Sequence, residues 1–145
     1  EFNFERIRSV AKIVGIDKFI VDDLPDKYKT IVGERGVRLS GGQIQRIGIA
    51  RALYKKPKVL ILDEATSALD NITENNLMNE IYKLNNQMTI LVVAHRLSTV
   101  QKCDEIFLLD KGEILGSGNY DELKKKSKLF REMINTKLIK KVIKE

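Results

Sequence analysis

The chain has 145 residues, 43% of them hydrophobic and 32% charged, which suits one globular domain able to bury a core. Its net charge of +6 is local: residues 124–145 hold nine Lys and Arg against two acids, whereas the preceding 123 hold 17 against 18. That distribution excludes a basic face spread over the domain, as nucleic-acid binding would require.

No apolar run approaches the roughly eighteen residues of a membrane span, and no leader pattern opens the chain. Glu1 is not an initiator Met, so a piece of a longer protein is expected. Cys103 is the only cysteine. It cannot form an internal disulfide, which fits a reducing compartment, and its Lys102–Asp104 setting points to a structural rather than a reactive thiol.

Ile7, Val10, Ala11 and Val14 recur at helical spacing, and Gly15 is placed to stop that helix. Asp17 to Val21 reads as a short second helix and Asp22–Pro25 as a loop. Thr30–Gly36 is polar, punctuated by glycine, and predicted to be exposed. Ser40 is predicted to cap a helix from about Gly42 to Tyr54, ended by Lys55, Lys56 and Pro57. Val59 to Leu62 is a continuous apolar run, expected to be a parallel strand buried on both faces. Asp70 to Leu84 reads as a helix with Leu77, Ile81 and Leu84 on one side, and Thr89 to Val93 as a second apolar strand. Asp110-Lys111-Gly112 is a hairpin turn signal between Ile106–Leu109 and Glu113–Leu115. The alternation of strand and helix predicts an α/β fold with a parallel core. In the tail, Phe130, Ile134, Leu138 and Val142 recur every four residues beside a basic face. Two readings fit that pattern: a C-terminal helix packed on the domain, or contact with an anionic membrane surface.

Three places carry chemistry. At Leu39-Ser40-Gly41-Gly42-Gln43, two glycines at a helix start let backbone N–H groups approach a phosphate with no Cβ in the way. The helix dipole favours the negative charge there, and the Ser40 hydroxyl adds a donor. Twenty residues later Val59–Leu62 delivers Asp63 and Glu64 side by side at the carboxyl edge of the sheet, where open α/β folds bind ligands. His95, the only histidine, directly follows the second apolar strand.

Leu39–Leu53, including Gln45, Arg46 and Ala50-Arg51-Ala52-Leu53, resembles the signature motif of the ATP-binding-cassette (ABC) ATPases. Val59-Leu60-Ile61-Leu62-Asp63-Glu64 resembles their Walker B strand, Ala65–Asp70 their D-loop, and Ala94–Thr99 their switch-histidine loop. Thr30–Gly36 resembles the loop that precedes the signature in exporters and touches the cytoplasmic ends of transmembrane helices. The likeness runs from about Asn3 to Met133. One departure is Ile44, where the family often has a basic or polar residue.

The resemblance implies an α/β fold: a partial P-loop ATPase core with parallel strands, plus part of the α-helical subdomain. Residues 1–57 would form the helical subdomain, 58–122 the C-terminal part of the core, and 123–145 a basic amphipathic helix. It implies ATP and Mg²⁺ as cofactors. Asp63 would help hold the metal, Glu64 would act as general base, and His95 would sense the γ-phosphate. Ser40, Gly41, Gly42, Gln43 and Asp70 would contact nucleotide, the signature residues serving ATP held by a partner domain. The implied partners are a second nucleotide-binding domain, paired head to tail, and a transmembrane domain at the cytoplasmic face of a membrane; nucleic acid is not among them.

No Gly is followed by Lys, so the Gly-x-x-x-x-Gly-Lys phosphate loop is absent. Gln43 is the first glutamine, so the family's glutamine loop and its upstream adenine-stacking aromatic are absent too. The chain is therefore expected to be part of an exporter's ATPase domain, unable to handle ATP normally alone, with an apolar sheet edge prone to self-association. A soluble ABC ATPase acting on nucleic acid or ribosomes, and a non-catalytic binding module, are the competing readings.

Overall fold

The computed structural model describes residues 2–33, 36–84, 86–93 and 97–134. The chain forms two compact units, residues 1–93 and 94–145.

The first unit begins with helix α1 (Phe4–Ile13), whose N-cap Asn3 accepts a hydrogen bond from the Arg6 N–H. Gly15 ends it as the sequence predicts: it takes φ +70°, its N–H reaches the Lys12 carbonyl at 3.0 Å, and the Ile16 N–H reaches the Ala11 carbonyl at 2.9 Å. This is the paired closure of a left-handed cap, with Ile16 and Ala11 buried beneath it. Helix α2 (Asp17–Asp22) follows at once. In the next turn the Tyr28 hydroxyl donates to Asp17 Oδ1 at 2.6 Å. That bond holds the Asp17 carboxyl below its usual range, helped by Arg8, although partial burial opposes it.

Helix α3 (Gly41–Tyr54) lies on α1. Its C-terminal carbonyl at Leu53 accepts from the Arg6 guanidinium at 3.2 Å, which also sits over the Tyr54 ring. Strand β1 (Val59–Asp63), helix α4 (Asn71–Tyr82) and strand β2 (Thr89–Val93) then form a β–α–β unit. The strands pair in parallel, in register from Val59 with Thr89 to Asp63 with Val93. The core gathers Val10, Val14, Ile16, Ile49, Leu53, Leu60, Leu62, Leu77, Met78 and Ile81, the last with no exposure.

The expectation of strands buried on both faces is corrected here. Along β1, Leu60 and Leu62 are buried, but Val59 and Ile61 are 54% and 62% exposed. On β2, Leu91 and Val93 are also exposed. An apolar run marks a strand suited to burial on both sides, but the covering layer must come from elsewhere in the chain. Among the described residues of this unit the helices supply it on one face only.

In the second unit a short helix α5 (Leu97–Val100) precedes an antiparallel hairpin, β3 (Ile106–Asp110) and β4 (Glu113–Gly118). Lys111 and Gly112 make the two-residue turn with φ +47° and +83°. Both values are positive, as the tight turn matching strand twist requires. Leu108 faces Gly116 while Leu109 faces Ile114, so Leu115 is the extra residue of a β-bulge. Helix α6 (Tyr120–Lys126), capped by Asn119, and the helical residues 128–134 complete the unit. Ile106, Leu108, Leu123, Phe130 and Ile134 bury together, and Tyr120 meets Phe130 edge to face at 5.5 Å. Cys103 packs against the same cluster, its thiol 3.6 Å from the Thr99 carbonyl. The tail is thus packed through Ile134; Leu138 and Val142 lie outside the described residues.

Candidate functional site

The turn at Ser40 is built by reciprocal hydrogen bonds. Ser40 is extended (φ −67°, ψ 159°), and its Oγ accepts from the Gln43 N–H at 3.2 Å. Gln43 Oε1 accepts from the Ser40 N–H at 2.7 Å. This capping box fixes the entry to α3 and satisfies two backbone donors. The Ser40 and Gln43 side chains therefore serve the helix start as well as lining it. Ile44, the departure from the family pattern, is 57% exposed and sits outside this cap.

Gly41 and Gly42 have a reason to lack side chains that sequence reading missed. A Cβ on Gly41 would stand 3.2 Å from the Ala68 Cβ, and one on Gly42 would stand 2.9 Å from Leu69 Cδ2. The turn is pressed against the loop that follows β1, so glycine here permits close packing.

That loop, residues 64–70, is held along its length. Asp63 and Glu64 are exposed at the end of β1, and Glu64 adopts a left-handed backbone (φ +46°), an uncommon state for a residue with a side chain. The Glu64 carbonyl accepts from the Ser67 N–H and the Thr66 carbonyl from the Leu69 N–H, both at 3.0 Å. The Thr66 hydroxyl donates to Glu74 Oε1 at 3.0 Å, a carboxylate that is only 4% exposed on α4. Gln45 holds the loop from the other side. Its Nε2 donates to Ser67 Oγ and its Oε1 accepts from the Ala68 N–H, each at 3.0 Å.

Asp70 closes the loop as the N-cap of α4, its Oδ1 accepting from the Ile72 and Thr73 N–H groups at 3.0 and 2.9 Å. Hydrogen bonds from Thr73, first from its hydroxyl and then from its backbone, keep the Asp70 carboxyl below its ordinary range.

The structure thus brings Ser40, Gly41, Gly42, Gln43 and Asp70 onto or beside one loop, with Asp63 and Glu64 at its start. His95 lies outside the described residues, as do Glu34 and Arg35. Adjacent exposed carboxylates are hard oxygen donors of the kind Mg²⁺ takes one or two at a time, beside water and substrate phosphates. Among the described residues no group of three or more His, Cys, Asp and Glu gathers. The donor set suits an ion held largely by phosphate and water.

Upstream, residues 31–33 and 36–37 are exposed. Val32 and Val37 bridge backbone to backbone, and Ile31 is 74% exposed. A Cβ on Gly36 would fall 2.0 Å from the Ile31 carbonyl oxygen, so only glycine fits there.

Gln45 and Glu74 are the side chains that sequence reading left without a task. Gln45 lies inside the signature-like stretch 39–53, but its partners are 22 and 23 residues away. A signal for Glu74 exists in hindsight: an acid on the apolar side of α4.

The ABC transporter family model matches residues 6–67. The leukotoxin export ATP-binding protein LtxB of Aggregatibacter actinomycetemcomitans is 50% identical over 124 residues, which are 86% of this chain and 17% of that protein. The heterocyst differentiation ATP-binding protein HepA of Nostoc is 48% identical over 126 residues, 86% of this chain and 21% of the relative. Mouse ATP-binding cassette sub-family B member 5 is 49% identical over 130 residues, 90% of this chain and 10% of that protein. A solved bacterial Atm1-family ABC exporter with ATP bound superposes with a TM-score of 0.84 at 39% identity, covering 93% of this chain and 23% of that one. The chain spans a quarter or less of each of these proteins.

Proposed function

We propose that this chain, which has the sequence and fold of part of an exporter-type ABC transporter nucleotide-binding domain, contributes to ATP hydrolysis coupled to export across a membrane. The observation that carries the reading is the packing of the Ser40–Gly42 turn on the loop that starts at Glu64. The groups this reading assigns to phosphate binding and to hydrolysis would thereby share one packed surface.

In this reading the start of α3 takes the phosphates of ATP held by a second domain arranged head to tail, through backbone N–H groups and the Ser40 hydroxyl. Asp63 would hold Mg²⁺ through its water shell, and the ion would neutralise charge on the transferring phosphoryl group. Glu64 accepts the proton of the attacking water as the water oxygen bonds to the γ-phosphorus and ADP leaves. His95 contacts the γ-phosphate. Asp70 sets the far end of the loop, beside the nucleotide. The 145 residues contain no Gly-Lys pair, so the loop that wraps the nucleotide's own phosphates is supplied by another segment.

Among the described residues no helix is long and apolar enough to cross a membrane. The exposed Ile31, Val32 and Val37 would meet a transmembrane domain at the cytoplasmic face.

The test is Glu64→Gln in the complete transporter that carries this sequence. Turnover is expected to fall by about 10² or more while ATP still binds. Wild-type turnover in that variant removes Glu64 from the base role.

A further inference from the structure

We infer that Gln45 is a positioning residue which fastens the phosphate-facing turn of α3 to the hydrolytic loop, so that the two shift as one piece when nucleotide closes on the turn. This rests on the ATPase reading above.

A primary amide offers a donor and an acceptor on one rigid plane. Gln45 spends its donor on Ser67 Oγ and its acceptor on the Ala68 N–H, both within the loop 64–70. It stands four residues after Gly41, one turn along the same helix face. The two glycines at that end already press on Ala68 and Leu69. The contact is therefore steric at the turn and polar one turn later, and both parts meet the same stretch of loop.

On its other side the loop has little freedom to yield. Leu69 is buried, Thr66 is bonded to the buried Glu74, and Asp70 is committed to the cap of α4. Glu64 is the first residue of that stretch and is held at positive φ. A push on the α3 N-terminus is thus delivered to the peptide that aims the Glu64 carboxylate. In a head-to-tail pair the turn serves one nucleotide and Glu64 the other, so the Gln45 amide links the two sites through a single chain.

Two substitutions separate this role from general stability. Gln45→Met keeps length and helix propensity but loses both hydrogen bonds. Gln45→Glu keeps an acceptor for the Ala68 N–H, and the Ser67 hydroxyl can turn to donate to it. In the complete transporter, hydrogen exchange read by mass spectrometry should show the segment around Ala68 losing protection in Gln45→Met and keeping it in Gln45→Glu. In the same protein, Gln45→Met should lower kcat about tenfold, as loss of one to two such bonds implies, with KM for ATP within about twofold. Gln45→Glu should restore most of kcat.

Unchanged exchange around Ala68 in Gln45→Met refutes the clamp, whatever kcat does. Lost protection with unchanged kcat refutes the coupling, as does an equal fall in kcat for Glu and Met. A wild-type transporter that hydrolyses no ATP overturns the functional reading and the coupling with it, while the exchange arm still decides the clamp.

Discussion

Two glycines of one helix give opposite predictions for the same substitution. Gly48, in the middle of α3, has no heavy atom within 4 Å of where a Cβ would stand, whereas a Cβ on Gly42 would meet Leu69 Cδ2 at 2.9 Å and the Ala68 carbonyl oxygen at 3.4 Å. Replacing glycine by alanine inside a helix gains about 1 kcal/mol of helix propensity, so Gly48→Ala should stabilise by roughly that amount. Gly42→Ala has at most the same gain, set against about 1–3 kcal/mol for forcing a methyl into packed surroundings. Leu69 is itself 94% buried, so its methyl cannot swing into solvent. The net expectation is a loss of about 1 kcal/mol, and a difference between the two variants of about 2 kcal/mol. Urea denaturation followed by tyrosine fluorescence measures this, because Tyr28, Tyr54 and Tyr82, three of the four tyrosines, lie in the first unit. The double variant Gly42→Ala/Leu69→Ala should recover part of the clash as a favourable coupling energy. Gly42→Ala stabilising as much as Gly48→Ala would refute the packing of the turn on the loop.

Ser40→Ala removes the acceptor for the Gln43 N–H and should cost about 1 kcal/mol in the same denaturation assay, while Ser40→Asn should cost little. Ile81→Ala, at a side chain with no exposure, should destabilise the first unit by about 2–5 kcal/mol. The bond from the Tyr28 hydroxyl to Asp17 predicts two pH limbs. Asp17 is depressed from 3.8, so its contribution is full above that pH and vanishes as the pH falls through the lower folded value. The Tyr28 phenol is raised from 10.0 by burial and by the Asp17 bond, so its contribution is full below pH 10 and is lost as pH rises further. Tyr28→Phe should weaken both limbs of a stability–pH curve, and unchanged limbs would remove the bond from that account.

Features set by near neighbours were legible in the sequence. Gly15 ends α1, Ser40 caps the start of α3, and Lys111-Gly112 turns the hairpin, because each is decided by backbone preferences within four or five residues. The exposed outer faces of Val59, Ile61, Leu91 and Val93 were not legible, since apolar character says what a face tolerates and not what covers it. In the candidate site, the motif residues were visible as a pattern, but the hold of Gln45 on Ser67 and Ala68, and of Glu74 on Thr66, was not. Those bonds join residues brought together by the fold of α3, β1 and α4, and no local preference encodes them. The same applies to Gly42, whose partner Leu69 is 27 residues along the chain.

The parallel pairing of β1 with β2 also sets a timetable for synthesis. Thirty residues separate Val59 from its partner Thr89, and a parallel strand cannot find a substitute in a tight hairpin. At about 5–20 residues per second on the ribosome, β1 emerges roughly 1.5–6 seconds before its neighbour exists. During that interval the edge of Val59–Asp63 that β2 will cover has no partner from β2. Codon choice across α4, which sets the length of the wait, therefore bears on the yield of folded protein without changing a single residue.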